Sequence, residues 1–490
     1  MFKLSENIDP NKIFIVNRSE LEGRIDPEMI LYSMKNVDNF KYPYIQLKKM
    51  LLKSPQYGAN EASVIRINNE QPRYIRITDI DENGTLRKEL GATADTIDSK
   101  YILNNNDILF ARSGATVGKT YIHKVKKNNY KAFFAGYMIR FIVNPDIIIP
   151  DFVFIYTQLS VYKKWVKATQ RAAGQPNINA EEYKSLKIPL PPLEIQQQIV
   201  DLYEKAYTEK QQKEAEAQRL LDSIDDYLLE ELGITLPKEE EHLPQNTNKN
   251  SSYNLDNDNP LVKKGRLFLT NLSEVTGKRI DPDYYSIYYM EIIKSIEGSY
   301  YKTETIGKYC GFISGYAFSS NDYIGQSDCI LITIKNISKN IITLEEKTFL
   351  PSQYYEMYPK FRVLENDLLI AMTGATIGKV GIYNSCEKSL LNQRNGIIRS
   401  KNLNTFYLMN LLNLDIYQKL ILRNSVGGAQ SNISGKEILK INIPIPPLEK
   451  QNEMATHISQ IRSKANVLMQ QGKETLEKAK QAVEQMILGN

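Results

Sequence analysis

Ile188-Pro189-Leu190-Pro191-Pro192-Leu193-Glu194 returns as Ile443-Pro444-Ile445-Pro446-Pro447-Leu448-Glu449, an offset of 255 (443 minus 188). Three further stretches repeat in the same order. Arg24-Ile25-Asp26-Pro27 recurs at 279–282, and Gln175-Pro176-Asn177-Ile178-Asn179 recurs as Gln430-Ser431-Asn432-Ile433-Ser434. Asp107-Ile108-Leu109-Phe110-Ala111-Arg112-Ser113-Gly114-Ala115-Thr116-Val117-Gly118-Lys119 recurs as Asp367-Leu368-Leu369-Ile370-Ala371-Met372-Thr373-Gly374-Ala375-Thr376-Ile377-Gly378-Lys379. Copies of this size form a tandem of whole modules, not a solenoid. The stretches between the motifs, 28–106 and 283–366, look little alike, so one scaffold is expected to carry two different surfaces.

Each module reads the same way. Tyr74-Ile75-Arg76-Ile77 and Ile330-Leu331-Ile332-Thr333-Ile334, each followed by turn residues, predict strands, and residues 151–167 and 405–423 have helical spacing. Pro-Pro blocks a helix upstream and suits the first turn of the next, and a long helix follows in each copy. In the second, Met454, Ile458, Ile461, Ala465, Leu468, Gly472, Thr475, Ala479, Ala482 and Met486 alternate by four and three. The first copy gives Ile199, Tyr203, Ala206, Lys210, Lys213, Ala217, Leu220, Ile224, Tyr227 and Glu231. This spacing predicts a coiled-coil seam, the alternative being an amphipathic helix packed on its own domain. In an antiparallel pair, positions totalling 685 would face each other: Ile199 with Met486, Lys210 with Thr475, Lys213 with Gly472. A helix of roughly 38 residues spans about 57 Å, on the order of 17 base pairs of B-DNA.

The length of 490 residues suggests about three domains, or two larger units with connecting elements. A hydrophobic content of 42% excludes a disordered chain, and no apolar run reaches the length of a membrane helix. The N-terminal residues do not read as a signal peptide. Three Cys and three His, widely spaced, give no zinc cluster and fit a reducing cytoplasm. Net charge is +5, unevenly placed: +8 over residues 1–193 and +6 over 261–448, against −7 over 194–232 and −3 over 233–260. Two basic blocks separated by acidic material suggest a polyanionic partner. The tract from Pro237 to Pro260 has the composition of a flexible linker.

Catalytic signals are weak. Gly114–Lys119 resembles a phosphate-binding loop, but that loop needs four residues between its glycines and this has three, and the second copy lacks the following hydroxyl. The glycines fit either close backbone approach to a phosphate, with Lys119 and Lys379 as charge partners, or a tight turn with a solvated Lys. No Asn-Pro-Pro-Tyr or Asp-Pro-Pro-Tyr signature, glycine-rich cofactor fingerprint or Ser-His or Cys-His system is evident. The chain therefore reads as a binding protein.

Two divergent basic modules, each ending in Pro-Pro-Leu-Glu and a long helix, resemble the specificity subunit of type I restriction–modification enzymes. Gly-Ala-Thr-Val/Ile-Gly-Lys, the Gln-x-Asn-Ile segments, Tyr74–Ile80 and Gly315–Ser320 are similar to segments of such modules. The resemblance implies an α+β fold. Its target-recognition domains are expected at 1–190 and 261–445, each followed by a spacer helix (191–235 and 446–490), with the linker at 236–260. The two helices would form an antiparallel coiled coil of pseudo-twofold symmetry. It implies a non-catalytic, cytoplasmic subunit that reads a bipartite duplex DNA site. Its partners would be two methyltransferase subunits carrying S-adenosylmethionine and motor-endonuclease subunits using ATP and Mg, with no cofactor or metal on this chain and no membrane. Expected phosphate contacts are Arg112, Lys119, Arg140, Lys379, Arg394 and Arg399, with Gln175, Asn177, Gln430 and Asn432 as polar contacts or as caps. Expected base readers are Tyr57, Arg66, Arg73, Tyr316 and Asn321. A coiled-coil scaffold that binds only proteins would explain the helices but not the segregation of charge.

Overall fold

The computed structural model describes Ile15, Tyr32 and residues 39–87, 89–170, 176–237, 287–425 and 432–489. The Arg-Ile-Asp-Pro repeats and most of the linker lie outside the described residues. Two compact units result: Met1–Ala215 with Leu468–Asn490, and Glu216–Val467. Each therefore contains one module and a part of both long helices.

In the first unit, β1 (Tyr44–Gln46) leads to β2 (Gln56–Tyr57), β3 (Val64–Ile65), β4 (Arg73–Ile75) and β5 (Ala92–Thr93). Then come β6 (Ile108–Ala111), β7 (Thr120–Ile122), β8 (Ala132–Phe134) and β9 (Met138–Phe141). Helices α1 (Pro150–Tyr156), α2 (Ser160–Thr169) and α3 (Ala180–Lys184), strand β10 (Lys187–Pro189) and the long α4 (Leu193–Leu232) follow. One sheet has the order β2-β9-β6-β7 and another β3-β5-β4-β8, while β10 pairs antiparallel with β1. Ile108-Leu109-Phe110-Ala111 is apolar throughout because both faces of β6 are covered. Ile108 and Phe110 join the core with α1–α3, and Leu109 joins the opposite cluster with Ile75 and Phe134.

The second unit repeats this plan. After α5 (Ile287–Glu297) come β11 (Thr303–Thr305), β12 (Cys310–Ser314), β13 (Cys329–Ile332), β14 (Ile337–Ser338), β15 (Asn340–Ile342) and β16 (Thr348–Leu350). The chain continues through β17 (Arg362–Val363), β18 (Leu368–Ala371), β19 (Val380–Ile382), β20 (Ser389–Leu391) and β21 (Asn395–Ser400). It ends with α6 (Thr405–Leu412), α7 (Asp415–Asn424), α8 (Gly435–Leu439), β22 (Asn442–Pro444) and α9 (Leu448–Ile487). Its sheets run β12-β21-β18-β19-β15-β14 and β16-β13-β20-β17, and β22 pairs with β11. The parallel pair β4 and β8 has its counterpart in β13 and β20.

The helices expected over 151–167 and 405–423 are each two helices. At the first break Gln158 donates from Nε2 to Thr120 Oγ1 at 2.8 Å. At the second, Asn413 accepts from Val380 N at 3.2 Å and donates to Val380 O at 2.7 Å. In both modules a polar side chain 255 residues apart ties the break to the strand after the Gly-Lys loop. Such side-chain competition with the backbone ladder favours a helix end.

The Pro-Pro motif extends two residues beyond the repeat, to a glutamine. Gln196 donates from Nε2 to Pro191 O (2.9 Å), and its Oε1 accepts from Ile149 N (2.8 Å). Gln451 makes the same two bonds, to Pro446 O (2.8 Å) and from Asn404 N (2.9 Å). Both side chains are buried. Each latches the start of a long helix to the start of a helix in its own module.

The long helices, 40 residues each, pair antiparallel. In the first unit Ile199, Tyr203 and Ala206 share a core with Leu476, Ala479, Val483 and Ile487. In the second, Ile224, Leu228 and Leu232 share one with Met454 and Ile458. The expected register needs correction. Gly472 lies against Lys210, where an added Cβ would stand 3.4 Å from the Lys210 Cα. Facing positions thus total 682, not 685. Lys210 is not opposite Thr475, nor Lys213 opposite Gly472, and Ile199 faces Val483 in that register, not Met486. The reason is the seam's step: after Ala217 and Gly472 it advances by four, to Leu221, Ile224, Leu228 and Leu232 and to Leu476, Ala479, Val483 and Ile487. Leu220 is therefore off the seam line, and Met486 is a partly buried flank. Ile461 packs partly buried, and Leu468 joins neither shared core. Repeats of four, four and three average ~3.67 residues, close to the natural twist of a straight helix.

Candidate nucleic-acid interface

The duplicated Gly-Lys loop is a hairpin turn between antiparallel strands, β6 to β7 and β18 to β19. Gly114, Gly118, Gly374 and Gly378 all have left-handed φ, 79°, 86°, 71° and 85°, a conformation a side chain disfavours. The second glycine also answers to packing. A Cβ on Gly118 would sit 2.6 Å from Val166 on α2, and one on Gly378 would meet Gln418 at 3.0 Å and Ile421 at 3.1 Å on α7.

The loop is joined to the Gln-x-Asn-Ile segment in each module. Ser113 bridges Asn177 and Thr373 bridges Asn432. Ile178 N donates to Arg112 O (2.8 Å), and Ile433 N to Met372 O (3.1 Å). Helix caps fall two residues later than Asn177 and Asn432, on Asn179 with Glu182 and on Ser434 with Glu437. Gln175 and Gln430 lie outside the described residues. Lys119 is half-buried, its Nζ 3.5 Å from Ile80 O, whereas Lys379 is exposed.

Beside the first loop, the Arg112 guanidinium lies 5.0 Å over the Tyr57 ring, and the Tyr57 hydroxyl accepts from Ala180 N. Arg112 N donates to Tyr137 O, and in the second module Met372 N donates to Arg394 O, both 2.9 Å. Arg394 is exposed and has a left-handed φ of 71°. Tyr137, 65% exposed, occupies the place of Arg394 and was not singled out in the sequence. The available signal was Gly136, which marks a turn. Asn321 is exposed on a short helical turn capped by Ser319.

Four expected DNA-contacting arginines are engaged internally. Arg140 pairs with buried Asp107 at 3.2 Å and donates to Ile102 O, Lys100 O and Gln56. Arg399 makes the matching bidentate pair with Asp367, which raises its pKa, burial opposing. Burial pushes the Asp107 carboxyl up, against the Asn104 amide and Arg140. Arg66 and Arg73, expected as base readers, are only 2% and 4% exposed. Arg66 donates to Gln71 O and Leu90 O, and Arg73 to Arg87 O and Tyr130. The stretch that starts in β3 and continues through Ile67 turns Arg66 inward and leaves Ile65 and Ile67 exposed. Tyr316, though exposed, packs in an aromatic cluster with Phe318, Tyr358 and Phe361 at 4.9–5.2 Å, and Phe318 joins that cluster to Leu331 on β13 and Leu350 on β16.

Residues 48–219 and 301–478 match the family described as the type I restriction modification DNA specificity domain. The chain belongs to that family. The two matched stretches coincide with the duplication, and each includes most of one module and part of the following helix. Specificity subunits of this kind are the non-catalytic DNA-recognition members of type I restriction–modification systems, and they form complexes with methyltransferase and restriction subunits. The chain is 24% identical over 393 residues to the type I restriction enzyme MjaVIII specificity subunit of Methanocaldococcus jannaschii, covering 79% of each. It is 29% identical over 174 residues to the putative type I restriction enzyme MjaX specificity subunit of the same organism, 34% of this chain and 40% of that protein. A solved chain from a type I restriction–modification system is similar at 15% identity and a TM-score of 0.49, over 91% of this chain and 97% of the other. Among the described residues of this specificity-family chain, no helix is long and apolar enough to cross a membrane, and no cluster of His, Cys, Asp or Glu is placed to hold a metal.

Proposed function

We propose that the chain reads a bipartite duplex DNA site, one half per module, and positions two methyltransferase subunits and motor-endonuclease subunits on it. The observation that supports this reading is the repetition, in each unit, of the Gly-Lys hairpin joined to its Asn-Ile segment, beside sheets whose sequences diverge. A common frame suits a common phosphate backbone, and divergent surfaces suit different bases. Lys119, Lys379, Arg112 and Arg394 are the cations we assign to phosphate contact, with Asn177 and Asn432 as polar contacts. Tyr57, Tyr316 and Asn321, all exposed, are the base-reading candidates. The long helices act as the spacer between half-sites, and the acidic flank of α4, with exposed Glu214, Glu216, Asp222 and Asp226, faces protein partners. S-adenosylmethionine, ATP and Mg reside on those partners, and the complex works in the cytoplasm.

The test is salt-dependent binding to duplex DNA by the assembled methyltransferase complex. Affinity should fall linearly on logarithmic axes as salt rises. Binding insensitive to salt and to duplex sequence would leave only a protein scaffold.

A further inference from the structure

Within the first unit, a cavity of about 630 Å³ opens between the β3-β5-β4-β8 sheet and the first part of α4, the size range of small-molecule sites. Its walls carry an unbalanced charge. Lys124 is paired with Asp151 at 2.7 Å, and Lys127 with Glu204 at 3.8 Å. Arg66, Arg73 and Arg87 also line it, opposed by Glu89 alone. Among the described residues none of these three arginines has a carboxylate partner. Arg66 and Arg73 instead lie 4.3 and 5.8 Å over one ring, Tyr130, and meet carbonyl oxygens. Burying two like-charged guanidiniums without a counter-charge is costly. Burial lowers the Arg66 pKa, Tyr130 opposing and Arg73 adding to the fall. The Nη2 of Arg66 and the hydroxyl of Tyr203, both buried, have no hydrogen-bond partner, which polar groups in a folded core rarely tolerate. On the helix wall the half-buried Tyr207 lies beside Tyr203, which is only 4% exposed, their rings 4° from parallel and 6.4 Å apart. Tyr207 is tied to the opposite wall through Thr85 at 2.6 Å.

We propose that this cavity is a nucleotide-binding site. Its phosphate lies beside Arg66 and Arg87, with Arg73 adding to the field, and its base lies on the Tyr207 ring within reach of the Tyr203 hydroxyl. The phosphate supplies the counter-charge that the arginines lack, and the Tyr207 ring supplies the flat apolar surface a base prefers. The nucleotide is either free or carried on a DNA strand. The site is separate from the Gly-Lys hairpin and stands whether or not the two modules read a bipartite site.

Calorimetry of the full chain with adenosine monophosphate, adenosine and inorganic phosphate tests this. The monophosphate should bind saturably and at least tenfold more tightly than adenosine. Arg87→Gln, at an exposed residue, should weaken it about tenfold, as loss of a charged contact does. Tyr203→Phe should weaken it about fivefold, the loss of one hydrogen bond, while thermal melting stays equal or rises because a buried orphan hydroxyl is gone. Competition by a 30-base-pair duplex assigns the site to a nucleotide of DNA, and no competition assigns it to a free nucleotide. No saturable binding at about 1 mM, equal binding of adenosine and its monophosphate, or wild-type affinity in both variants would overturn the proposal.

Discussion

Arg140 and Arg399 show how a charge can be misread from sequence. In both modules an arginine late in the sheet meets the aspartate before the Gly-Lys strand, Asp107 or Asp367. Breaking a buried pair leaves one charge uncompensated, at about 3–5 kcal/mol. Arg140→Met should therefore lower the unfolding midpoint of the first module, and Asp107→Asn with Arg140→Met together should restore part of the loss. Calorimetric melting measures both. Lys119, half-buried, and Lys379, exposed, belong to a different class, cations of a turn. Lys119→Ala should weaken binding to all duplexes alike and lower the salt slope by about one unit, whereas a change confined to one base position would make it a base reader. Buried His123 has its pKa lowered to about 4 by burial, against an unfolded value near 6.5. The unfolded chain thus takes up the proton first, and stability is lost as pH falls from ~6.5 towards ~4. The cost reaches about 3 kcal/mol. Urea unfolding of wild type and His123→Gln across that window should show a steeper acid slope in wild type, and equal slopes would refute the assignment. The inward turn of Arg66 was not legible, because alternation in Val64–Ile67 reads as apolar-in when the partner cavity is unknown.

At the scale of elements, the strands around Tyr74 and Ile330, the paired helices and the hairpin loops were legible from period and punctuation, but β4 ends at Ile75 and β13 at Ile332, ahead of short helical turns at Ile77–Asp79 and Ile334–Asn336. The breaks at Gln158 and Asn413 were not. They depend on side chains that bond a strand distant in sequence, and periodicity carries no record of that. The seam failed for a related reason. A heptad template and an alternation of four, four and three agree over the first half of each helix and diverge after Ala217 and Gly472. Gly472 offers a direct check of the register. An alanine there meets Lys210 at ordinary contact distance, so Gly472→Ala should raise stability by about 0.5–1 kcal/mol. Gly472→Leu should lower it, because the helices must part. Destabilisation by alanine would contradict the 682 register. The latches Gln196 and Gln451 went unnoticed because a lone glutamine after Pro-Pro-Leu-Glu carries no period of its own.

At the scale of the whole molecule, the duplication revealed the architecture, since four motifs in constant order fix two copies of one frame. The recognised bases were not legible, since the divergent stretches have no counterpart within the chain to align with. The spacer role of the helices makes a quantitative expectation. Eleven residues inserted after Ala217 and after Gly472 preserve the seam and add about 16 Å to each helix. The gap between half-sites should grow by about five base pairs with both half-site sequences unchanged. The most direct test of the central claim is mapping of methylated adenines in host DNA with and without this chain, and with residues 28–186 exchanged for another module of the family. The account predicts a two-part motif that vanishes without the chain and changes in one half only after the exchange. Loss of both halves on exchange, or methylation indifferent to the chain, would contradict it.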